Sequence, residues 1–453
     1  MRFSKADMRL IGHSCKYAVE QTAISLFGGA VPEFDSELRL ADSTIFTRIY
    51  IGSRTAEDTA AISPNADTRE VQRALKMSFY RAAVQLLPTA PAWGAVSGVK
   101  PARLALCGID LEREFFVSPG RAALAGSAAR FAESAYRTLA ANDAVLYVGI
   151  PFCPTRCSYC SFISLGAAGN TALIEPYLDA LNREIESVSG TVAERGERIR
   201  AIYIGGGTPT TLSAAQLTAL LTELHGKFDL SACSDITVEA GRPDTITPEK
   251  VYALKAAGVT RISVNPQTMN DAVLRKIGRG HSAEDSLRAF GTAKEAGFRH
   301  INMDLIAGLP LDTPDSFRGS IDKCLALAPD NLTLHTLTLK RGSLMKETSE
   351  QPDITSETVG EMLDYAFAEL RKRGYEPYYL YRQKYSVGFE NSGWTLPGAE
   401  CLYNIVMMEE LRSVYALGAG GSSKQVSREN GNFRVTRSFN KKYPKEYIED
   451  MSR

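Results

Sequence analysis

No uncharged apolar run in this chain approaches membrane-spanning length. The N-terminus, Met1-Arg-Phe-Ser-Lys-Ala-Asp, starts charged but has no apolar segment behind it, so it does not read as a secretory signal. Net charge is missing too: 52 Lys and Arg balance 52 Asp and Glu, for a formal +0. That balance argues against a polyanionic partner such as nucleic acid. Histidine is sparse, at 5 residues. The 8 cysteines follow no secreted pattern, so disulfides are a poor reading and a reducing, cytoplasmic setting is expected. The rest is ordinary for a globular protein, with hydrophobic residues at 44% and charged residues at 23% of 453. That length suffices for about two or three domains.

One stretch stands out: Val145-Leu-Tyr-Val-Gly-Ile-Pro-Phe-Cys-Pro-Thr-Arg-Cys-Ser-Tyr-Cys160. A β-branched apolar run ends at Pro151, and Cys153, Cys157 and Cys160 follow at CxxxCxxC spacing. Thiolates are soft ligands that suit iron–sulfur clusters and zinc. A closed site takes one more ligand than this loop supplies. No nearby Cys or His completes a zinc knuckle; the next histidine downstream is His225. A cubane cluster held by three thiolates leaves one iron open to an exchangeable ligand, as a catalytic metal position is.

Apolar strands are expected at 145–149, 201–204, 235–239, 261–264, 300–306 and 331–336. Helical stretches near 171–187, 214–226, 248–257, 283–296 and 314–327 fall between them. This alternation predicts parallel βα units and an incomplete (β/α)6 barrel, whose active face lies where loops leave the strands. The chemistry-bearing residues fall there. Ile204-Gly-Gly-Gly-Thr-Pro-Thr210 offers backbone N–H groups at close approach. Glu239 suits ribose hydroxyls, or else a buried pair with Arg242. Gln267 and Arg279 suit polar and carboxylate groups. Asp304 sits inside an apolar strand, where a carboxylate needs a partner. His335 reads more readily as a core histidine than as a catalyst.

These motifs, in this order, resemble the radical SAM superfamily, and within it the oxygen-independent coproporphyrinogen III dehydrogenase family. The resemblance covers roughly residues 145–340 and leans toward the HemZ-type branch. Its support is Val238-Glu-Ala-Gly-Arg-Pro-Asp-Thr245, Ile262-Ser-Val-Asn-Pro-Gln-Thr-Met269 and Tyr378-Tyr-Leu-Tyr-Arg-Gln-Lys384, with Pro397-Gly398 and Tyr403-Asn404. The resemblance implies a [4Fe-4S] cluster on Cys153, Cys157 and Cys160. It implies contacts to S-adenosylmethionine (SAM), in one copy or two, from Tyr147, Tyr159, Gly206, Gly207, Thr208, Glu239, Gln267, Arg279 and Asp304. It implies a tetrapyrrole substrate and a reductant such as flavodoxin or ferredoxin. The chain departs from the dehydrogenase at two places: Gly149 stands where that family has His, and Phe162 where it has a further Cys. Haem-chaperone relatives share both departures. Three activities stay open: propionate decarboxylation to protoporphyrinogen IX, haem carriage, or another radical reaction on a porphyrin.

Residues 1–140 form an N-terminal α+β domain of no assigned role, 141–345 the barrel, and 346–453 an α+β extension expected to cover the substrate. In the first, Leu38-Arg-Leu-Ala and Ile45–Ile51 read as strands, and Arg69–Leu87 as an amphipathic helix with Val71, Leu75, Phe79 and Val84 on one stripe. Trp93-Gly94 and Ser97–Pro101 read as a packed turn, with a substrate or interdomain contact as the alternative. In the extension, a helix from Glu357 to Arg373 precedes Tyr375, Tyr378, Tyr379, Tyr381 and Tyr385, with Arg382 and Lys384 interleaved. That run is either an aromatic and basic surface for a carboxylate-bearing macrocycle or a half-buried strand. Leu417-Gly-Ala-Gly-Gly-Ser-Ser-Lys424 lacks the glycine before lysine that a phosphate-binding loop needs, and reads as a turn near the barrel mouth.

Overall fold

The computed structural model of the protein describes residues 8–27, 31–162, 165–166, 169–340, 342–348, 354–383, 390–429 and 432–452. The chain divides into two compact units, 1–129 with 380–391, and 130–379 with 392–453.

The first unit holds a sheet of β1 (Met8–Ile11), β2 (Glu33–Arg39), β3 (Thr44–Ile51) and β4 (Arg54–Ala61), in that order. Ile45, Thr47 and Ile49 of β3 alternate inward and are fully buried, as a strand with one covered face requires. The cover includes the helix Thr68–Val84, whose N-cap Asp67 accepts a hydrogen bond from Glu70 N. Leu75 and Phe79 enter the core from it, and the Phe79 ring meets Phe34 edge-on at 4.9 Å. Burying each of these side chains contributes about 2 kcal/mol. The returning segment brings in Glu390, which is wholly buried. Trp93 Nε1 donates to its Oε2 at 2.6 Å, and Arg121 Nε makes an ion pair with its Oε1 at 2.6 Å. Trp93 thus belongs to a packed turn, as its residue pattern suggests.

In the second unit the expected barrel strands are present: β5 (Asp143–Ile150), then, past the short pair β6 (Phe152–Cys153) and β7 (Leu165–Gly166), β8 (Arg198–Gly206), β9 (Asp235–Glu239), β10 (Arg261–Ser263), β11 (His300–Ala307) and β12 (Asn331–Thr336). The six long ones lie side by side in chain order and run parallel. The sheet does not close. Each barrel edge instead receives strands from the C-terminal segment: β13 (Glu376–Arg382), β14 (Glu390–Thr395), β15 (Ser413–Leu417), β16 (Ser422–Glu429) and β17 (Asn432–Phe439). β14 pairs antiparallel with β12, and β15 parallel with β5. Edges of a long sheet are otherwise open templates for other chains.

Alternation along the barrel strands sorts the side chains by face. Val148, Ile202, Val238, Ile262, Met303 and Leu334 are all buried apolar residues. The opposite parity is polar: Tyr147, Tyr203, Glu239, Ser263, Asn302, Asp304 and His335 contact one another across the strands. A barrel whose interior is polar and only half-buried is a receptacle, not a packed core.

The tyrosine run is a correction to the surface reading. Tyr375, Tyr378 and Tyr379 are buried, and Arg382 is spent on Ser25 Oγ at 3.0 Å and the Val96 carbonyl. Lys384 and Tyr385 lie outside the described residues. Among the described residues no helix is long and apolar enough to cross a membrane.

Candidate functional site

The cysteine loop leaves the end of β5 and is held from several sides. Gly207 N donates to Ile150 O at 2.8 Å and Thr208 N to Phe152 O at 2.7 Å. Ser158 N donates to Ile277 O at 3.0 Å, and Met345 N to Ser158 O at 3.0 Å. Cys160 N closes a tight turn onto Cys157 O at 3.2 Å. The glycines after β8 make this packing possible. Gly206 adopts φ +106°, where a side chain is strained, and a Cβ on Gly207 would sit 2.6 Å from Phe152 O.

The three thiols share one neighbourhood. Burial, with Cys157 and Cys153 adding to it, pushes the Cys160 thiol up to about 11. Thr208 Oγ1 donates to Cys153 Sγ at 3.5 Å, and Arg242 Nη1 to Cys157 Sγ at 3.7 Å. Among the described residues no group of three His, Cys, Asp or Glu side chains would hold a single metal ion. A cubane spreads its thiolates over separate irons, so three thiols facing donors and buried cations fit it better than a one-ion cage.

Polar groups with unmet hydrogen-bonding capacity surround this loop. Gln267 takes φ +69°, rare for a residue with a side chain, because its N–H is tied to Asp304 O and its carbonyl to Ile306 N, each at 2.9 Å. Its buried Oε1 has no partner. Arg279 donates from Nη1 to Asn265 O at 2.8 Å and Gly241 O at 3.2 Å, and from Nη2 to Tyr159 OH at 3.2 Å, leaving its buried Nε unpartnered. Buried polar atoms are seldom left so unless a ligand or water meets them. His281 is buried beside Asp244 with both ring nitrogens unpartnered. Burial and Arg279 lower it to about 4, so it stays neutral.

Inside the barrel mouth, Tyr203 OH donates to Glu239 Oε1 at 2.5 Å. Burial pushes the Glu239 carboxyl up to about 7; Asp304 adds to the rise, and Tyr203, His335 and Gly206 oppose it. The expected alternative pair with Arg242 does not form, because Arg242 takes Asp244 instead. Asn302 Nδ2 donates to Asp304 Oδ1 at 2.7 Å, and His335 Nε2 lies 3.6 Å from Asp304 Oδ2. Tyr147, Tyr203 and Tyr403 stack, with the last two 4.8 Å apart.

The expected cluster and SAM residues lie on β5 to β12 or on the segments that follow these strands, Arg279 lying past the helix Asp271–Lys276 after β10. Tyr203, which belongs to the same wall, was not singled out, and Tyr403 was named only for the resemblance and given no place in the site. Tyr203 was findable, since it lies in the strand expected at 201–204 just ahead of the glycine triplet, and the register sets it opposite Tyr147. Tyr403 comes from the helix Leu402–Glu409, remote in sequence. Gly149 is hemmed in: a Cβ there would meet Leu417 O at 3.3 Å and the Tyr147 ring at 3.4 Å. Phe162 is 69% exposed.

The sequence pattern of the Radical SAM superfamily matches residues 147–324. The chain is 34% identical over 419 residues to the oxygen-independent coproporphyrinogen-III oxidase-like protein HemZ of Bacillus subtilis, covering 87% of this chain and 82% of that one. It is also 34% identical over 285 residues to the haem chaperone HemW of Lactococcus lactis, covering 61% and 68%. Among solved structures, it resembles the coproporphyrinogen III oxidase HemN of Escherichia coli, a radical SAM enzyme. The TM-score is 0.56 at 25% identity, over 70% of this chain and 71% of that one.

Proposed function

This chain belongs to the radical SAM family that includes HemZ, with the family's [4Fe-4S] cluster and SAM as its cofactors. From that premise we propose that it decarboxylates the propionates of coproporphyrinogen III oxidatively, without oxygen, to give protoporphyrinogen IX. The observation that carries this reading is the extent of the likeness to HemZ, 87% of the chain against 61% to 68% for the HemW relatives.

In this reading Cys153, Cys157 and Cys160 hold the cluster. When bound, cluster and SAM supply a 5′-deoxyadenosyl radical through one-electron reduction. Tyr147, Tyr159, Gly206, Gly207, Thr208, Gln267 and Arg279 orient SAM; the unpartnered Arg279 Nε and Gln267 Oε1 suit its carboxylate and amino ends. Glu239 and Asp304 take ribose hydroxyls or a second SAM. The propionate loses a hydrogen atom, then carbon dioxide, and one electron passes to an acceptor. Exposed Phe162 and Leu311 stand on loops after β5 and β11, exposed Leu344 opens the short helix Leu344–Glu347 after β12, and all would face the macrocycle. Lys340, whose pKa burial lowers, would meet a carboxylate.

The test is anaerobic turnover. Cluster-loaded protein, dithionite, SAM and coproporphyrinogen III should yield protoporphyrinogen and 5′-deoxyadenosine together, read by mass spectrometry. Slow 5′-deoxyadenosine with untouched substrate would overturn decarboxylation and favour a second reading, haem carriage. Gly149 and Phe162 support that second reading, because the dehydrogenase resembled here has His and Cys in their places.

A further inference from the structure

Arg242 is the buried cation of the site that the reading above leaves without a role. It is 2% exposed and sits in the loop after β9. The loop is rigid: Thr210 Oγ1 donates to Ala240 O at 2.8 Å, and Thr245 Oγ1 to Arg242 O at 2.8 Å. One edge of the guanidinium is clamped by Asp244, from Nε to Oδ1 at 2.9 Å and from Nη2 to Oδ2 at 2.8 Å. A bidentate fork fixes the plane of the group. The remaining nitrogen, Nη1, then has its two hydrogens aimed, one at Thr155 Oγ1 at 3.0 Å and one at Cys157 Sγ at 3.7 Å.

A salt bridge alone would not need that last contact. Burial of an ion pair is costly, and a surface Arg–Asp pair would cap this loop as well. Here the fork instead holds a cationic N–H against the sulfur of a cluster-loop cysteine. Hydrogen bonds to cluster sulfurs and nearby net charge set the reduction potential of iron–sulfur centres. An added electron on the cluster is stabilised by a donor at its thiolate.

We propose that Arg242, oriented by Asp244, is a positioning residue that raises the reduction potential of the cluster through its N–H contact to Cys157. One electron from the reductant enters and no bond breaks. The proposal goes beyond the tetrapyrrole reading and holds whichever substrate the barrel takes.

The experiment uses the full chain with its cluster. Arg242→Gln, Arg242→Lys and Asp244→Asn are purified anaerobically, their iron and sulfide counted, and the clusters titrated with dithionite against redox dyes, with EPR reading the reduced form. Arg242→Gln should keep its iron while its ratio of reduced to oxidised cluster at a fixed poise falls about tenfold, or about 59 mV for a one-electron couple. Arg242→Lys keeps the charge without the fork and should recover part of the shift. Asp244→Asn frees the plane of the guanidinium but also removes a negative charge, which by itself raises the potential, so a lowered ratio there reports loss of the N–H contact. A full cluster in Arg242→Gln at the wild-type ratio overturns the proposal. Should that variant fail to hold a cluster, Arg242→Lys decides: a lowered ratio there supports the proposal, and the wild-type ratio overturns it. Cys157→Ala checks the foundation separately, since a full cluster there would remove Cys157 from the ligand set. No substrate enters the titration, so its result is independent of the turnover test.

Discussion

Glu239 links the site's chemistry to the stability of the ligand-free protein. Its folded pKa of about 7 stands above the ordinary 4.5 because burial disfavours the charged form. A carboxyl raised on folding favours the folded state fully below the unfolded value, and that contribution is lost as pH climbs to the folded value. Wild-type protein should therefore lose stability between about pH 5 and about pH 8, by up to about 3 kcal/mol from this group. Glu239→Gln stays neutral throughout. Urea midpoints across that range should fall less steeply in the variant, and identical slopes would show that Glu239 is not the group. At this scale the sequence was most legible where spacing carries chemistry, as at Cys153, Cys157 and Cys160. It was least legible at Arg242 and His281. Nothing in Gly241-Arg-Pro-Asp244 says whether the arginine will pair with Glu239 or with Asp244. That choice follows from which side of the loop each carboxylate occupies.

The C-terminal strands show what an element contributes beyond its own residues. β15 lies along β5, and the turn after it is tied to the helix Ile174–Glu194. Tyr177 OH donates to Gly149 O at 2.6 Å and accepts from Ala419 N at 3.0 Å. Glu184, whose carboxyl burial pushes up, accepts from Gly418 N at 2.7 Å, Asn440 Nδ2 at 2.6 Å and Tyr447 OH at 2.6 Å. The turn therefore stands at the barrel mouth, as expected for Leu417–Lys424, and its anchors are a buried tyrosine and carboxylate. Tyr177→Phe removes one hydroxyl and takes a partner from the buried Gly149 carbonyl and the half-buried Ala419 N–H, a cost of about 1–3 kcal/mol. Thermal unfolding should show the loss, and an unchanged midpoint would mean the turn is held by β15 pairing alone. Strands and helices of the barrel were legible because apolar runs and caps recur with each βα unit. The edge pairing of β14 and β15 was not, because a short strand carries no mark of its partner.

For the whole molecule, chain order and spatial order part company after residue 345. Residues 380–391 return to the first unit, bringing Glu390 to Trp93 and Arg121. Residues 392–453 complete both edges of the barrel sheet. A chain truncated after residue 379 should lose both: the first unit lacks its buried carboxylate, and β5 and β12 are left as open edges. The expected outcome is aggregation on size-exclusion chromatography and no cooperative melt by circular dichroism. A soluble, cooperatively melting truncated chain would show the C-terminal segment to be an accessory.

The sequence by itself determined the succession of βα units, the cysteine loop after the first strand and the polar residues after the others. Each of these depends on local periodicity or on spacing along a few residues. Tertiary structure alone decided three further features. The barrel stays open and its edges are finished by remote strands. Tyr378 and Tyr379 of β13 are buried, while Tyr381 is half-buried. Arg242 faces a cysteine sulfur. All three depend on contacts between residues far apart in the chain, and burial and hydrogen-bond satisfaction there select among pairings that composition leaves equal.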